Sequence, residues 1–568
     1  MSDLRPAAYP PPVTKDEFIA APVAPEDERL EVGALFVGGG PAGLAGAIRL
    51  AQLIADDAEL TERLGETPIA VVDKGSGPGA HQLSGAVVNP GPLKELFPGK
   101  TMEEMTSYGP VGGEAVYLLG PKKALKLPTP PPFKNHGNYI FSLSLLTRWL
   151  AEQAEELGVM VIPETAADRL LVTDGVVHGV RTGDKGRGKE GEELPNFEPG
   201  AELHAQMTVL TEGTQGHLAG ALLDHFDLHA DPQVWALGVK EIWKVAKPLE
   251  KIIHTLGWPL RKPARYREFG GSFIYPMGPE HICLGFVTGL DTADATVSVH
   301  DTLQLFKTHP FIKELLEGAT RVAWGAKTIP EGGFWSLPTQ LSVPGAMIAG
   351  DSAGMVNGPK LKGVHLAMRA GMLAAEAMYA RLKSGETLVG ADLDGYDEGV
   401  KNSEIHRDLY RSRNMKQPFA KGFFAGGAIV NAMEATGGRF PGGHWPNHAD
   451  AEQPLFIGDA GSTYPTPDGK LTFDKLSSVF ISGNQTRDDQ PDHIRVEHQL
   501  PRAVATAYVA MCPAAVYELP EGSESGPDDE IITMKVNPSN CVHCGAITAK
   551  GGRLTPPEGG SGPEYTNM

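Results

Sequence analysis

GALFVGGGPAGLAGAIRLAQL, residues 33–53, opens with five residues of strand character and runs directly into a glycine turn and a helical stretch rich in Ala and Leu. Gly38, Gly40 and Gly43 stand at that junction in a GxGxxG spacing. Glycines so placed permit a tight turn, let a pyrophosphate approach the backbone and bring the helix onto the strand, while the helix N-terminus offers free N–H groups to phosphates. A second strand, residues 69–72, ends in Asp73, whose carboxylate can accept hydrogen bonds from a ribose. The interval from Gly43 to Asp73 exceeds the usual ~20 residues, and a longer first helix carrying ADDAELTERLGE is expected to absorb the excess.

A second signal lies far along the chain. AMIA, residues 346–349, reads as a strand and leads into Gly350, Asp351, Ser352, Ala353 and Gly354, followed by a helix over about 363–382. In FAD enzymes of the two-dinucleotide-fold class, a strand, a Gly-Asp pair and a helix late in the chain meet the ribityl chain. The two signals together specify FAD over NAD. A strand-like segment at 207–211, before Glu212 and Gly213, fits the connecting strand of that frame, so the nucleotide domain is discontinuous.

The 568 residues suffice for two to four packed domains. A formal charge of -20 without a clustered basic surface excludes nucleic acid as a partner. Four cysteines are too few for a secreted disulfide framework, which reads as intracellular. The proline-rich, acidic stretch over residues 1–30 has neither signal-peptide nor transit-peptide character and is expected to be a disordered arm. No apolar window of ~18 residues is long enough for a transmembrane helix.

Three of the cysteines fall near the C-terminus: Cys512 before a proline, then Cys541 and Cys544 in NPSNCVHCG. A Cys-Pro with a CxxC is a fragment of ferredoxin-type spacing, yet such a site takes four protein ligands. Cys283, in the strand-like HICLGFV, is expected to be a core residue.

GAHQLSGAVVNPGPLKELFP (79–98), NHGNYIFSLSLLTRWL (135–150), HTLGWPL (254–260), FGGSFIYP (269–276), FKTHP (306–310) and PEGGSGPEY (557–565) resemble the electron-transfer flavoprotein:ubiquinone oxidoreductase family. The resemblance implies a mixed α/β and α+β chain in three domains. These are an FAD domain of the glutathione-reductase-like, two-dinucleotide type (31–85, 160–232 and 334–384), a β-sheet quinone-binding domain (86–159 and 233–333) and a ferredoxin-like iron–sulfur domain (385–568). It implies FAD on Gly38, Gly40, Gly43, Asp73, Gly350, Asp351 and Gly354, and a quinone against Gly270 and Gly271. His81, Ser84 and Gly85 fall where the family approaches flavin and quinone together. A metal cluster is implied on Cys512, Cys541 and Cys544. The implied activity is transfer of electrons from reduced electron-transfer flavoprotein, charged by acyl-CoA dehydrogenases, to ubiquinone or menaquinone. The implied location is peripheral, on the cytoplasmic face of a bacterial inner membrane.

Two segments are similar to the family's membrane-associated elements: residues 79–100, and FAKGFFAGGAIVNAMEATGG (419–438). In the second, Phe419, Phe423, Phe424, Ile429, Val430 and Met433 form a candidate apolar face, with Lys421 placed to snorkel. The chain departs from the family's CxxCxxC at its third position, where Ile547 cannot ligate iron, and the stretch from Cys544 to Pro557 is shortened. That leaves four outcomes: a 3Fe-4S cluster, a 4Fe-4S cluster completed by water, His543 or Thr548, a zinc site, or no metal. With no cluster, an FAD-dependent isoprenoid reductase or hydroxylase on the same fold becomes the alternative function.

Overall fold

The strand Leu30–Val37 is fully buried from Val32 onward and lies near the centre of a nine-stranded sheet. The computed structural model describes residues 4–85, 87–214, 216–458 and 463–568, with only the backbone described at 423. Leu30–Val37 pairs in parallel with Ile69–Val72 on one side and Glu202–Leu210 on the other, and Met160–Ile162 and Ala346–Ile348 extend this parallel set at its two ends. Parallel strands with both faces covered read as continuous apolar runs, which is the pattern of IAVV and ALFV here.

Two helices follow the glycine signals, Pro41–Ile54 and Val364–Lys383, and they cross in backbone contact. A Cβ added at Gly371 would meet the Ala42 carbonyl oxygen at 2.0 Å, and one added at Gly46 would meet the Gly371 oxygen at 2.8 Å. The crossing brings the two loops together although more than 300 residues separate them. Helix Leu143–Glu156 and helices Asp394–Asn402 and Glu404–Arg411 bury Leu146, Leu150, Tyr396, Val400, Ile405 and Leu409 in this same core. The nucleotide unit therefore takes in residues that the sequence reading gives to its neighbours. The excess before Asp73 is absorbed differently from expectation: the first helix stops at Ile54, and a separate short helix, Ala58–Arg63, starts at an Asp57 cap that accepts the Leu60 N–H.

A second, seven-stranded sheet runs in the order Thr320–Pro330, Trp235–Lys244, His281–Gly289, Gly270–Met277, Ile252–Gly257, Glu114–Leu119, Ala124–Leu127. One face joins helix Val299–Lys307 and the C-terminal region in a shared core that holds Trp243, Phe286, Trp324, Tyr508 and all three C-terminal cysteines. A buried carboxylate, Glu241, crosses that core with Lys307 at 2.8 Å and Trp243 Nε1 at 2.9 Å. The other face turns toward the nucleotide unit and carries Phe273, Tyr275, Cys283 and Tyr565, so Cys283 is a core residue. Among the described residues no helix is long and apolar enough to cross a membrane.

Residues 4–30 are not a disordered arm. Ile19–Ala20 adds a parallel strand to Leu170–Leu171, Phe18 is buried, and Arg495 pairs with Glu17 at 3.0 Å. Phe18 supplies the apolar anchor that the polar composition around it conceals: its ring meets the His217 ring edge-on at 4.4 Å. His217 Nε2 lies 2.8 Å from the Asp168 carbonyl oxygen, and His254, on the second sheet, stacks on Phe133 at 4.9 Å.

Burial pushes both imidazoles down to about 3, against about 6.5 in an unfolded chain. Between those values the unfolded chain holds protons that the folded chain refuses, so stability is complete above about pH 6.5 and is lost as pH falls toward 3. Each histidine is expected to contribute a slope of about 1.4 kcal/mol per pH unit in that window. Melting temperature followed across the window should fall with acid in the wild type and fall less steeply in the double variant His217→Gln/His254→Gln; equal slopes would refute the assignment.

Candidate functional site

Gly38 follows the first strand with φ +111°, and a Cβ there would sit 2.4 Å from the Thr211 carbonyl oxygen. At Gly43 a Cβ would meet the Gly38 oxygen at 2.2 Å, so the turn closes only with glycine at both positions. Gly40 caps the helix Pro41–Ile54 and faces Gln82. Asp73 accepts the Gly39 N–H on one carboxylate oxygen and the Gly75 N–H on the other, each at 2.7 Å. It clamps the turn as well as standing where a ribose acceptor was expected. Thr211 was not singled out in the sequence, yet its hydroxyl lies 2.9 Å from both the Val37 and Gly38 carbonyl oxygens and locks the connecting strand to the turn. Its only sequence signal is its place at the end of that strand.

Gly350 and Gly354 take φ +71° and +73°, bracketing a short 3-10 turn. Burial pushes the Asp351 carboxyl up to about 6. A Cβ on Gly350 would meet the Ala42 Cβ at 3.1 Å, which puts this loop beside the first helix start.

Gly38, Gly40, Asp73 and Asp351 line a cavity of about 270 Å³, and its other walls come from elsewhere in the chain. His81, Ser84 and Gly85 lie on one side; Lys240, Phe273, Tyr275 and Lys327 come from the second sheet; His543 and Gly545 come from the cysteine loop. Gly350 and Gly354 stand behind Asp351, and Gly354 borders a neighbouring cavity of about 550 Å³. Gly270 and Gly271 begin the strand whose Phe273 and Tyr275 form the wall, and Gly271 pairs with the cavity residue Val287. Both are glycine-only positions for reasons internal to the sheet: a Cβ would meet the Val287 oxygen at 1.9 Å or the Thr255 oxygen at 2.6 Å.

Cys512, Cys541 and Cys544 are buried, free of disulfides and close enough to act on one another electrostatically. Burial raises the Cys541 thiol above its usual range, with Cys544 adding to the effect, and pushes Cys544 up to about 12. The Ala514 and Val516 N–H groups both point at Cys512 Sγ, at 3.4 Å. Three thiols with amide donors to sulfur make a donor set that fits an iron–sulfur cluster at three corners. The fourth position is apolar: Ile547 is buried in the turn Ala546–Lys550, against Gly552 and Val496. His493, absent from the sequence reading because a lone His carries no signal, adjoins the set, its nearest ring nitrogen within 4.8 Å of ligand atoms on Cys541 and His543.

The cysteine loop is hydrogen-bonded to the cavity wall. Lys327 Nζ donates to the His543 carbonyl oxygen at 3.0 Å, and Thr328 donates its N–H and its hydroxyl to the Cys544 oxygen at 2.8 and 2.9 Å.

Comparison with known proteins decides the family. A family model for ETF-QO, ubiquinone-binding, matches residues 235–329, and one for the electron transfer flavoprotein-ubiquinone oxidoreductase 4Fe-4S domain matches 469–566. The mitochondrial electron transfer flavoprotein-ubiquinone oxidoreductase of Oryza sativa is 38% identical across 95% of this chain and 94% of its own length. The chain belongs to the electron transfer flavoprotein-ubiquinone oxidoreductase family. The Pseudomonas aeruginosa oxidoreductase is also 38% identical, over 96% of this chain and all of its own length, and the human one is 37% identical over 95% and 89%. Among solved structures, a geranylgeranyl bacteriochlorophyll reductase-like protein from Thermoplasma acidophilum shares the fold, with TM-score 0.54 at 17% identity over 75% of this chain and 93% of its own. The cofactors of this oxidoreductase are FAD and an iron–sulfur cluster. Within the residues matched by the 4Fe-4S model this chain has three cysteines, Cys512, Cys541 and Cys544, where a four-cysteine site would have four.

A Cβ at Gly43 has nowhere to go, whereas at Gly77 it would meet nothing within 4 Å. Purified Gly43→Ala is expected to have lost most of its visible flavin absorbance and Gly77→Ala to keep it; a fully yellow Gly43→Ala protein would contradict the role given to the turn.

Proposed function

We propose that this chain takes electrons from reduced electron transfer flavoprotein and delivers them to ubiquinone, linking acyl-CoA dehydrogenation to a respiratory chain. The observation that carries the proposal is the shared wall: the strand Thr320–Pro330 bonds the cysteine loop through Lys327 and Thr328, and both residues also line the flavin cavity. When bound, FAD supplies one- and two-electron transfer and the cluster one-electron transfer. The chain's own residues bind, orient and insulate. Gly38, Gly40 and Gly43 hold the pyrophosphate end with the free N–H groups of the helix start. Gly350, Asp351 and Gly354 hold the ribityl end. Cys512, Cys541 and Cys544 would hold the cluster in a buried core, with loss of their thiol protons as metal binds. Phe273, Tyr275 and Val287 give an apolar, aromatic wall suited to a planar quinone ring, next to Gly270 and Gly271.

The location we infer is peripheral, on the cytoplasmic face of a bacterial inner membrane. What supports it is helix Phe423–Ala435, which carries no charge from Phe423 to Met433 and exposes Phe424 at 62%, with Phe440 nearby in sequence also exposed at 55%. Ile429 and Val430 are half-buried and Met433 is buried, and the side chain at Phe423 lies outside the described residues. Phe419 packs on Phe269 at 4.7 Å, joining this region to the start of the Gly270–Gly271 strand. The other expected contact segment, 79–100, is not of this kind. It turns Leu93, Leu96 and Phe97 into the nucleotide core and leaves Lys94, Glu95 and Lys100 outside.

Reduced electron transfer flavoprotein mixed anaerobically with the purified protein and a short-chain ubiquinone should yield quinol, with iron and acid-labile sulfide present beside FAD. Cys541→Ser should lose iron and retain FAD. Quinone left oxidised by the wild-type protein would sink the proposal. Flotation with anionic phospholipid vesicles tests the location: Phe424→Asp should bind less than wild type, and equal binding would remove the helix from the membrane contact.

A further inference from the structure

Lys240 stands in the strand Trp235–Lys244, second from the edge of the second sheet, with glycine on both neighbours, Gly285 on one side and Gly325 on the other. These glycines make room for rings. A Cβ on Gly285 would fall 2.1 Å from the Phe273 ring, and one on Gly325 would fall 2.5 Å from Leu83 and 2.8 Å from the Tyr565 ring. Phe273 and Tyr565 therefore lie down against the sheet, and the Lys240 side chain rises between them into the flavin cavity. Its surroundings are the apolar face that also carries Tyr275, Cys283 and Val287.

The ammonium is fully buried, and its recorded bond is one to the Ser84 carbonyl oxygen at 3.0 Å. Among the described residues no carboxylate lies within 4.0 Å of it. Lys307, equally buried on the opposite face of the same sheet, has Glu241 at 2.8 Å. A buried charge without a counter-charge is costly, and one backbone acceptor does not neutralise it. Such a group persists where strain or instability is kept for a ligand. Desolvation also lowers the hold of this ammonium on its proton.

We propose that Lys240 is the cationic acid of the quinone site: it meets a carbonyl oxygen of the bound quinone, holds the negative charge that arrives there with the electrons and donates the proton that makes it a hydroxyl. The assignment rests on the quinone-reducing function proposed above. Reduction takes two electrons, supplied by reduced electron transfer flavoprotein, and two protons, and converts both C=O groups to C–O–H. One proton comes from the Lys240 ammonium, which recovers it from water, and the second comes from water directly. The location fits this work: Ser84 and Gly85 come from the segment beside the flavin turn, and Tyr275 faces Gly85, with its hydroxyl 3.6 Å from where a Cβ would stand.

Two variants test the assignment on flavin-loaded protein. Lys240→Met removes the charge, and Lys240→Gln removes it while keeping a donor for Ser84. Both are expected to lower kcat for ubiquinone reduction about 100-fold with little change in KM, and to lower far less the reduction of ferricyanide, a one-electron acceptor that takes up no proton. Lys240→Met is also expected to melt at a higher temperature than wild type, because an uncompensated charge has gone. Quinone reduction at the wild-type rate in either variant overturns the assignment, as does an equal loss toward both acceptors, or a lower melting temperature for Lys240→Met. A wild-type protein that passes no electrons to quinone sinks the functional proposal and this assignment with it.

Discussion

The outer edge of the strand Thr320–Pro330 holds the electron-transfer parts of the molecule together. An edge strand leaves N–H and C=O groups unpaired, and proteins ordinarily cover or pair them. Here the cover is functional: Thr328 gives its N–H and hydroxyl to Cys544, Lys327 gives its ammonium to His543, and the Ala326 N–H points to the Tyr565 hydroxyl. Two pieces of chain, the cysteine loop and the C-terminal segment at Tyr565, are thereby fixed against one strand whose side chains also line the cavity beside the glycine turn. A cluster domain docked only by apolar contact would be free to slide by an ångström. One docked by backbone hydrogen bonds beside its own ligands is not, and electron transfer depends on that separation.

The cavity is charged on both sides. Lys74, Lys240, Lys327 and Lys362 stand against Asp73, Glu212, Glu331 and Asp351 around its wall. Some of these charges do structural work that their position alone would not reveal. Asp73 closes the glycine turn through two amides, and Glu212 accepts the Leu218 and Ala219 N–H groups at the start of the following helix. Lys240 makes one bond within the fold, to the Ser84 carbonyl oxygen, and among the described residues has no carboxylate within 4.0 Å.

The cysteine site combines a retained scaffold with an altered corner. The N–H groups aimed at Cys512 and the bonds to the Cys544 loop are those an iron–sulfur site needs, whereas Ile547 fills its place with a packed side chain. An apolar residue there replaces a ligand with a closely packed side chain: a Cβ on Gly552 would meet Ile547 at 2.5 Å and Val496 at 2.9 Å.

Much of this was legible in the residues. The GxGxxG turn, the Gly350–Asp351 loop, the three cysteines and the altered Ile547 are local signals, and each is decided by what glycine, aspartate or thiolate can do within a few residues. The arm at 4–30 was misread because composition averages over Phe18, and one buried ring outweighs a polar neighbourhood. The sequence reading places helices Leu143–Glu156 and Asp394–Asn402 in neighbouring units, whereas their buried faces pack into the nucleotide core, because an amphipathic pattern shows that a face is buried without showing against what. The family resemblance, carried by ordered segments along the chain, set the fold class and function. Tertiary structure alone decided that Lys240 lies between two rings with no carboxylate within 4.0 Å among the described residues, that His493 stands beside Cys541, and that one edge strand serves both the cavity and the cysteine loop. Those facts join residues from about 30 to more than 300 positions apart, and no local propensity encodes such distances; they exist only once long-range sheet pairing and helix crossing have been made.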